Sequence, residues 1–477
     1  MEAEPNGGEG SNLRHQLEEY PSDGLAKELA SGTISRRGAL KLLGGASIGL
    51  LALPVFTSTA SAAGKLQLAE SRTTSLGTFE GVQYLQYEGL FTGKTSTGKY
   101  SVPFRISAPA NPRNAKSSTV LVEPPHDATG TYLRESYLGR PLLFGEGFLH
   151  ASVGYSTTTF GPFVYRILDP TAKGIFIDGG VVDGNGRTDD EIIVDFARAL
   201  RSDPVARALM GPAARRYLGG LSDSADPVKR IVASGLAEEV FDLVVPITTS
   251  GENDPRASIA EGKYSGKVIT VDSEFEWSLY GQALEDPGVN SNQYRFFIVP
   301  GTPHIPDPLC SFLTNNSTPA DFRPALRAHF LQGHDWVTQG DAPPTSTRLT
   351  TTGGGAEIAR DSNGNALLEK ITGASAPRLP YVELGEATFI TGFVGTYSPQ
   401  PPPTIEKLGF ASFTDYLAAF KVALNAQVQA RYMLQEDADA LWKRAKLGAN
   451  LVPPETTTFT ENYFGHYEEF VSGEYCP

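Results

Sequence analysis

The sequence contains little cysteine, little charge and no extended basic patch. Its 477 residues include two cysteines, Cys310 and Cys476, too few for a disulfide-dense scaffold or a metal site with four thiolate ligands. Charged residues make up 20% of the chain, and the formal net charge is −14. Nucleic acid is therefore not an expected partner, because such binding needs clustered Lys and Arg to displace counterions. A hydrophobic content of 40% supports a folded core and excludes global disorder.

The apolar stretch near the N-terminus, residues 42–56, is shorter than the roughly 20 residues that a membrane-spanning helix needs. It follows Ser-Arg-Arg-Gly-Ala-Leu-Lys at residues 35–41 and precedes Ala-Ser-Ala at residues 60–62. Paired arginines, a glycine-diluted apolar core and a small-residue cleavage site resemble a twin-arginine export signal. The alternative is a short membrane anchor.

The export signal implies several properties of the mature chain. We expect removal of residues 1–62, recognition by the twin-arginine translocation machinery, and an acidic protein in the periplasm or outside the cell. Stable membrane insertion is not expected. Once outside, Cys310 and Cys476 are candidates for a disulfide, if the fold brings them together.

Short runs of β-branched and aromatic residues alternate with helical patterns along much of the chain. The predicted strands are 82–90, 100–106, 119–122, 149–153, 243–247, 268–271 and 296–299. The predicted helices are 191–200, 228–240 and 325–330. This alternation favours an α/β fold with a mostly parallel central sheet flanked by helices. The first two strands have no helix between them, which indicates an antiparallel start.

Changes in composition along the sequence suggest four further segments after the signal. We predict an α/β core over residues 66–340, with an insertion at about 155–187 that is a candidate lid or pocket wall. Residues 341–403, rich in Thr and Gly and ending in a proline cluster, are expected to form a β-rich extension and linker. Apolar side chains at helical spacing predict a C-terminal helical segment over residues 404–450, and residues 451–477 form a tail.

A nucleophile motif lies in Gly220-Leu221-Ser222-Asp223-Ser224. It separates a short segment, residues 216–219, from a helical pattern that begins at about residue 228. A serine on a sharp strand-to-helix turn is exposed, and small neighbours are needed because the backbone is tight there. Ser222 is therefore the candidate nucleophile, and the alternative is an ordinary serine helix cap.

A nucleophilic serine needs a base. Of the histidines beyond the signal, only His304 comes just after a predicted buried strand, 296–299. Loops at the carboxyl ends of parallel strands are where such sheets build their sites. His304 is therefore the candidate base, with an ordinary loop histidine as the alternative.

The base needs an orienting acid, and three carboxylates follow the predicted strand 268–271, in Asp272-Ser273-Glu274-Phe275-Glu276. Glu274 and Glu276 point to the same side if the strand continues. We favour Glu276, since the acid normally lies on a turn a few residues past the strand end. Glu274 remains an alternative acid, and a solvated turn remains an alternative for the whole cluster.

An oxyanion hole requires two backbone N–H groups aimed at the developing negative charge. Asp223, directly after the nucleophile, is expected to supply one. The loop after the predicted strand 119–122 is expected to supply the other, from His126 or Asp127. A merely structural role for His126 stays open.

These motifs resemble a branch of the α/β-hydrolases known as "alpha/beta hydrolase domain" proteins, over about residues 77–450. The elbow of that branch often has the pattern Gly-x-Ser-x-Ser, which Ser224 fits. The other similarities are Glu123, Ser273-Glu274-x-Glu276, Trp336-Val337 with Gly340 and Pro343-Pro344, and Leu434-x-Glu436-Asp437-Ala438. His126 departs from the branch, which usually has Asn there.

The resemblance implies an α/β-hydrolase fold with a small C-terminal β-rich and helical extension. Together with the motifs, it predicts an exported serine hydrolase that cleaves a small-molecule carboxylic ester and uses no cofactor and no metal. Two alternatives remain open: an acyltransferase with the same three residues, and a catalytically silent hydrolase-like protein that binds a ligand.

Overall fold

The computed structural model describes residues 64–96, 98–125, 138–155, 190–249, 253–280, 292–304, 318, 320–353, 357–369, 376–392, 395–398 and 405–446. All of these belong to one unit, Ala60–Pro477. The predicted signal, tail and disulfide partners lie outside the described residues, as does nearly all of the predicted insertion. Within the ranges just given, none of the helices has the length and apolar character needed to cross a bilayer.

The central feature is a nine-stranded sheet. Its strands are β1 (Lys65–Phe79), β2 (Val82–Lys94), β3 (Lys99–Pro109), β4 (Thr119–Val122), β5 (Leu149–Val153), β6 (Arg215–Leu221), β7 (Leu243–Ile247), β8 (Lys267–Ser273) and β9 (Tyr294–Val299). They lie in the order β1-β2-β3-β5-β4-β6-β7-β8-β9. The pairs from β1 to β5 are antiparallel, and those from β5 to β9 are parallel. The expected mostly parallel sheet with an antiparallel start is confirmed.

Helices supply the apolar side chains that cover this sheet. In chain order they are α1 (Arg140–Gly145), α2 (Asp190–Ser202), α3 (Pro204–Met210), α4 (Ala225–Ala233), α5 (Pro255–Ala260), α6 (Glu274–Tyr280), α7 (Arg323–Thr338), α8 (Pro380–Glu383), α9 (Phe413–Gln429) and α10 (Gln435–Lys446). Buried residues of α2 to α5 belong to one apolar cluster, and those of α1 and α7 to α10 to another. Val120 and Val122 of β4 join the first cluster and Leu121 the second, as expected for a strand buried on both faces.

Two predicted helices have different bounds in the structure. The predicted helix 228–240 ends at Ala233, because the chain turns at Ser234 and Gly235, and Gly235 has a φ of +81°. The predicted helix 325–330 extends over the whole of α7, whose buried face includes polar side chains such as His329 that interrupt the apolar pattern. The edge strand β1 was not predicted, because its sequence is largely polar.

Residues 341–403, the predicted extension, contain four short strands in their described part. β10 (Thr351–Thr352) pairs with β11 (Glu357–Ile358), and β12 (Thr388–Ile390) pairs with β13 (Thr396–Ser398). The start of the extension lies against the outer edge of β9. There Phe296 N–H donates to Ser346 Oγ at 3.0 Å, and Ile298 N–H donates to Thr347 Oγ1 at 2.7 Å. These bonds cover backbone groups that an edge strand would otherwise expose.

Candidate active site

The candidate residues lie at the carboxyl ends of three parallel strands. Ser222 directly follows β6, Glu276 lies in the first turn of α6 after β8, and His304 lies in the loop after β9. In the sheet, β7 lies between β6 and β8, and β9 is next to β8. Because parallel strands end at the same edge of a sheet, these distant stretches of chain meet there.

The turn that carries Ser222 has a strained backbone. Ser222 has a φ of +55°, in the left-handed region that non-glycine residues rarely adopt. A Cβ added to Gly220 would lie 2.3 Å from Ser224 O and 2.9 Å from Val228 Cγ2, so only glycine fits there. Ser224 closes the turn, since Leu221 N–H donates to its Oγ at 2.9 Å and that hydroxyl donates to Leu221 O at 2.9 Å. Ser224 therefore stabilises the turn that carries Ser222 directly.

Three side chains form a continuous hydrogen-bonded series at this edge. His304 Nε2 lies 2.8 Å from Ser222 Oγ, and His304 Nδ1 lies 2.5 Å from Glu276 Oε1. Glu276 is 2% exposed and His304 8%, whereas Ser222 is half-buried. The hydroxyl is therefore within reach of a substrate, while the contact between His304 and Glu276 is shielded from water.

Ser273 fixes the carboxylate of Glu276 through its second oxygen. Ser273 N–H donates to Glu276 Oε2 at 3.0 Å, and the Ser273 hydroxyl donates to the same oxygen. Ser273 Oγ also accepts from Phe275 N–H at 3.2 Å. Ser273 thus caps α6 by accepting from the N–H of its second residue, while the carboxylate of its third residue, Glu276, reaches back to the Ser273 N–H, as in the pattern Ser-x-x-Glu. Glu276 therefore closes the start of α6 with one oxygen and faces His304 with the other.

Glu274, the alternative acid, has different partners. The condition under which Glu274 and Glu276 would share one side, a continuing strand, is not met, because β8 ends at Ser273 and α6 begins at Glu274. Two residues apart on a helix, the side chains diverge. Glu274 Oε2 accepts from Gly301 N–H at 2.7 Å, and Oε1 lies 2.9 Å from Arg360 Nη2. Burial raises the pKa of Glu274, and Arg360 and the Gly301 N–H oppose that rise.

Asp272, the third carboxylate of the cluster, is engaged with a neighbouring strand end. Its Oδ1 accepts from Thr249 N–H at 2.8 Å. Burial raises the pKa of Asp272 well above its ordinary value, and the nearby charge of Glu276 raises it further. Lys229 of α4, also fully buried, donates from Nζ to Thr249 Oγ1 at 3.3 Å. A buried polar layer therefore lies close to Glu276, with a cation in it.

Only some of the residues expected to form the oxyanion hole lie among the described residues. The backbone of Asp223 lies in the turn Ser222–Ser224, whereas His126 and Asp127 fall outside the described residues. Glu123, which precedes their loop, is held at the end of β4: its Oε2 lies 2.9 Å from His150 Nε2, and its carbonyl accepts from Ser152 Oγ at 2.6 Å.

Metal binding has no candidate in the described part of the chain, where no group of three or more His, Cys, Asp or Glu side chains could hold an ion.

Two features of the site were missed in the sequence. The spacing Ser-x-x-Glu at residues 273–276 is a helix-start signal, and it would have separated Glu276 from Glu274. Arg360, the partner of Glu274, lies far along the chain and has no local motif, so sequence reasoning had no signal for it.

Solved structures similar to the chain include three hydrolytic enzymes. A cold-adapted esterase from an Arctic intertidal metagenomic library is 13% identical with a TM-score of 0.30, covering 49% of this chain and 88% of that chain. A glucuronoyl esterase from Solibacter usitatus is 12% identical with a TM-score of 0.29, covering 57% of this chain and 88% of that chain. An S-formylglutathione hydrolase from Agrobacterium tumefaciens is 8% identical with a TM-score of 0.29, covering 49% of this chain and 90% of that chain. These identities and TM-scores are too low to support an argument about function. Among curated proteins, no match to the chain is found.

A family model gives a broader match. The model described as alpha/beta hydrolase domain matches residues 94–443, which is most of the chain. The matched stretch contains the elbow, the acid and the histidine together with the parallel strands that carry them. The chain therefore belongs to the alpha/beta hydrolase domain family.

Proposed function

We propose that the protein is an exported serine hydrolase that cleaves carboxylic esters through an acyl-enzyme intermediate. The observation that carries this proposal is the pair of contacts at His304, 2.8 Å to Ser222 Oγ and 2.5 Å to Glu276 Oε1. A hydroxyl, an imidazole and a carboxylate in series are the parts that activate a serine nucleophile. Export rests on the twin-arginine resemblance of residues 1–62.

In the first half of the reaction, Ser222 Oγ attacks the acyl carbonyl carbon of the ester. His304 Nε2 accepts the hydroxyl proton, and Glu276 Oε1 accepts the hydrogen bond from Nδ1–H and so stabilises the imidazolium. When the tetrahedral intermediate collapses, the bond to the alcohol oxygen breaks and Nε2–H protonates the leaving alcohol. Ser222 is left acylated.

In the second half, His304 Nε2 takes a proton from water, and the resulting hydroxide attacks the acyl group. The bond to Ser222 Oγ breaks, the carboxylic acid is released and the serine recovers its proton from His304. The oxyanion formed in both halves is assigned to backbone N–H groups, one from Asp223 and one from the loop containing His126 and Asp127.

A fluorophosphonate probe tests the nucleophile directly, because it phosphonylates only an activated serine. We expect wild-type protein to gain one adduct by intact mass, Ser222→Ala to gain none, and His304→Ala to react far more slowly. Ser202→Ala is the matched control, since this serine lies at the exposed end of α2. An unlabelled, folded wild-type protein would contradict the proposal and favour the silent ligand-binding alternative.

Product analysis separates hydrolysis from acyl transfer. With p-nitrophenyl esters of rising acyl length, we expect the free carboxylic acid as the main product and a clear optimum in chain length. If added alcohols at low concentration divert most of the acyl group into new esters, the acyltransferase alternative is favoured instead.

A further inference from the structure

The loop that carries His304 is packed directly against the extension, residues 341–403. Gly301, three residues before His304, has a φ of +78°. A Cβ added there would lie 3.0 Å from Val382 Cγ2 and 3.4 Å from Phe389 Cβ. The loop and the extension therefore approach each other so closely that position 301 needs a residue without a side chain.

Backbone contacts continue this packing up to the histidine itself. His304 N–H donates to the carbonyl of Gly392 at 3.0 Å. A Cβ added to Gly395 would lie 3.0 Å from Pro303 Cβ, so the residue before His304 also meets the extension closely. The extension thus provides the partner for the main chain of the candidate base.

An ion pair joins the same loop to the extension through α6. Glu274 is completely buried, and its Oε2 accepts from Gly301 N–H at 2.7 Å. Its Oε1 lies 2.9 Å from Nη2 of Arg360, whose side chain is 38% exposed and belongs to the extension. Burial raises the pKa of Glu274, and the Arg360 guanidinium and the Gly301 N–H both oppose that rise by favouring the charged, accepting carboxylate.

We propose that Glu274 and Arg360 are positioning residues that hold the His304 loop in place. In this proposal the extension is a required part of the active site and not only an addition to the outside of the core. The proposal rests on the proposed serine hydrolase function and deepens it. Glu274 then has a role different from Glu276: it acts on the backbone of the histidine loop and leaves the imidazole to Glu276.

The size of the effect follows from the geometry of proton transfer. His304 must receive a proton from Ser222 Oγ and keep its bond to Glu276, and a displacement of the order of 1 Å from such an arrangement lowers rates by up to roughly 100-fold. Removing the charge of Arg360 takes away the cation that lies 2.9 Å from Glu274 Oε1, and we expect this to shift the Gly301 contact that sets the loop. We expect the reaction of Ser222 to slow on the order of 10- to 100-fold.

The experiment measures labelling of the full chain by a small fluorophosphonate, recording both the rate and the fraction of molecules labelled. For Arg360→Met we expect the labelling rate to fall on the order of 10- to 100-fold, while the fraction of molecules that become labelled stays as high as in wild type. For p-nitrophenyl acetate, kcat should fall by a similar factor with KM little changed. Arg360→Lys should recover part of the rate, and Glu274→Gln, which keeps an acceptor for Gly301 N–H, should lie between wild type and Arg360→Met.

A matched control is Arg105→Met, which removes an arginine whose Nε and Nη2 lie 3.1 and 2.8 Å from Glu88 Oε1, in strands remote in sequence from the histidine loop. Its labelling rate should equal that of wild type. If Arg360→Met and Arg105→Met slow labelling equally, or if Arg360→Met lowers only the labelled fraction, the pair is merely structural and the proposal is overturned.

A second measurement keeps this proposal separate from the hydrolase proposal. In proton NMR spectra, the Nδ1–H of His304 bonded to Glu276 should give a downfield signal that is absent in His304→Ala. In Arg360→Met we expect this signal to shift or broaden. If wild-type protein is not labelled, the hydrolase proposal fails, but a changed signal still supports positioning by Arg360, and an unchanged signal overturns it.

Discussion

Glu386, a buried carboxyl group of the extension, is expected to make the stability of the fold depend on pH. It is 0% exposed, its Oε1 accepts from Tyr416 OH at 2.8 Å, and its Oε2 has no hydrogen-bond partner among the residues described. It precedes β12, and Tyr416 lies on α9, so the contact joins the extension to the C-terminal helices. Burial raises the pKa of Glu386 from 4.5 to about 8, because the charged form loses its water there.

The direction of the effect follows from proton binding. Below pH 4.5 the carboxyl is protonated in both the folded and the unfolded chain. Between pH 4.5 and about 8 the folded chain holds a proton that the unfolded chain has released, so the free energy of unfolding falls as pH rises. At about 1.4 kcal/mol per pKa unit, the whole loss is on the order of 5 kcal/mol and is complete above about pH 8.

The measurement compares wild type with Glu386→Gln by urea denaturation from pH 4.5 to 9. Glutamine keeps an acceptor for Tyr416 OH and carries no titrating group. We therefore expect the wild-type midpoint to fall more steeply with pH than the midpoint of Glu386→Gln. Asp437, whose pKa burial raises to about 7, is present in both proteins, so its contribution cancels. Parallel pH profiles would refute the reasoning.

Two further changes probe the site. Ser273→Ala removes a hydroxyl that bonds the Glu276 carboxylate. We expect kcat/KM for a small ester to fall about tenfold, which corresponds to roughly 1.4 kcal/mol for a hydrogen bond to a charged group, while Ser273→Thr keeps most activity. An unchanged rate in Ser273→Ala would contradict this role. Gly220→Ala places a Cβ 2.3 Å from Ser224 O and should abolish labelling and lower the melting temperature, whereas Gly145→Ala, whose nearest new contact is 3.8 Å, should resemble wild type.

The strands of the parallel core were predictable because both of their faces are buried. Such strands are short, nearly continuous apolar runs, and the predicted bounds 119–122, 149–153 and 243–247 agree with β4, β5 and β7. Edge strand β1 has polar side chains along much of its length and gives no such run. The predicted helix 228–240 is too long because Leu236, Ala237 and Val240 continue a helical apolar spacing after the helix has ended at Ala233.

The candidate site was predictable to the extent that local sequence determines it. Glycines before a serine, and polar residues directly after buried strands, indicated Ser222, Glu276 and His304, and the structure places these three in contact. The contacts of Glu274 with Arg360 and Gly301 depend on how the extension packs, which no local pattern encodes. These long-range contacts could not be predicted, whereas the local Ser-x-x-Glu pattern at residues 273–276 could have separated Glu276 from Glu274.

The carboxylate of Glu276 links two requirements that usually fall on separate residues. One oxygen completes the start of α6 and the other meets the imidazole, so a shorter aspartate would reach one partner and lose the other. A substitution of Glu276 is therefore expected to disturb two contacts at once, the cap of α6 and the bond to His304. An engineer who moves the acid to another strand end would also have to supply a new cap for that helix.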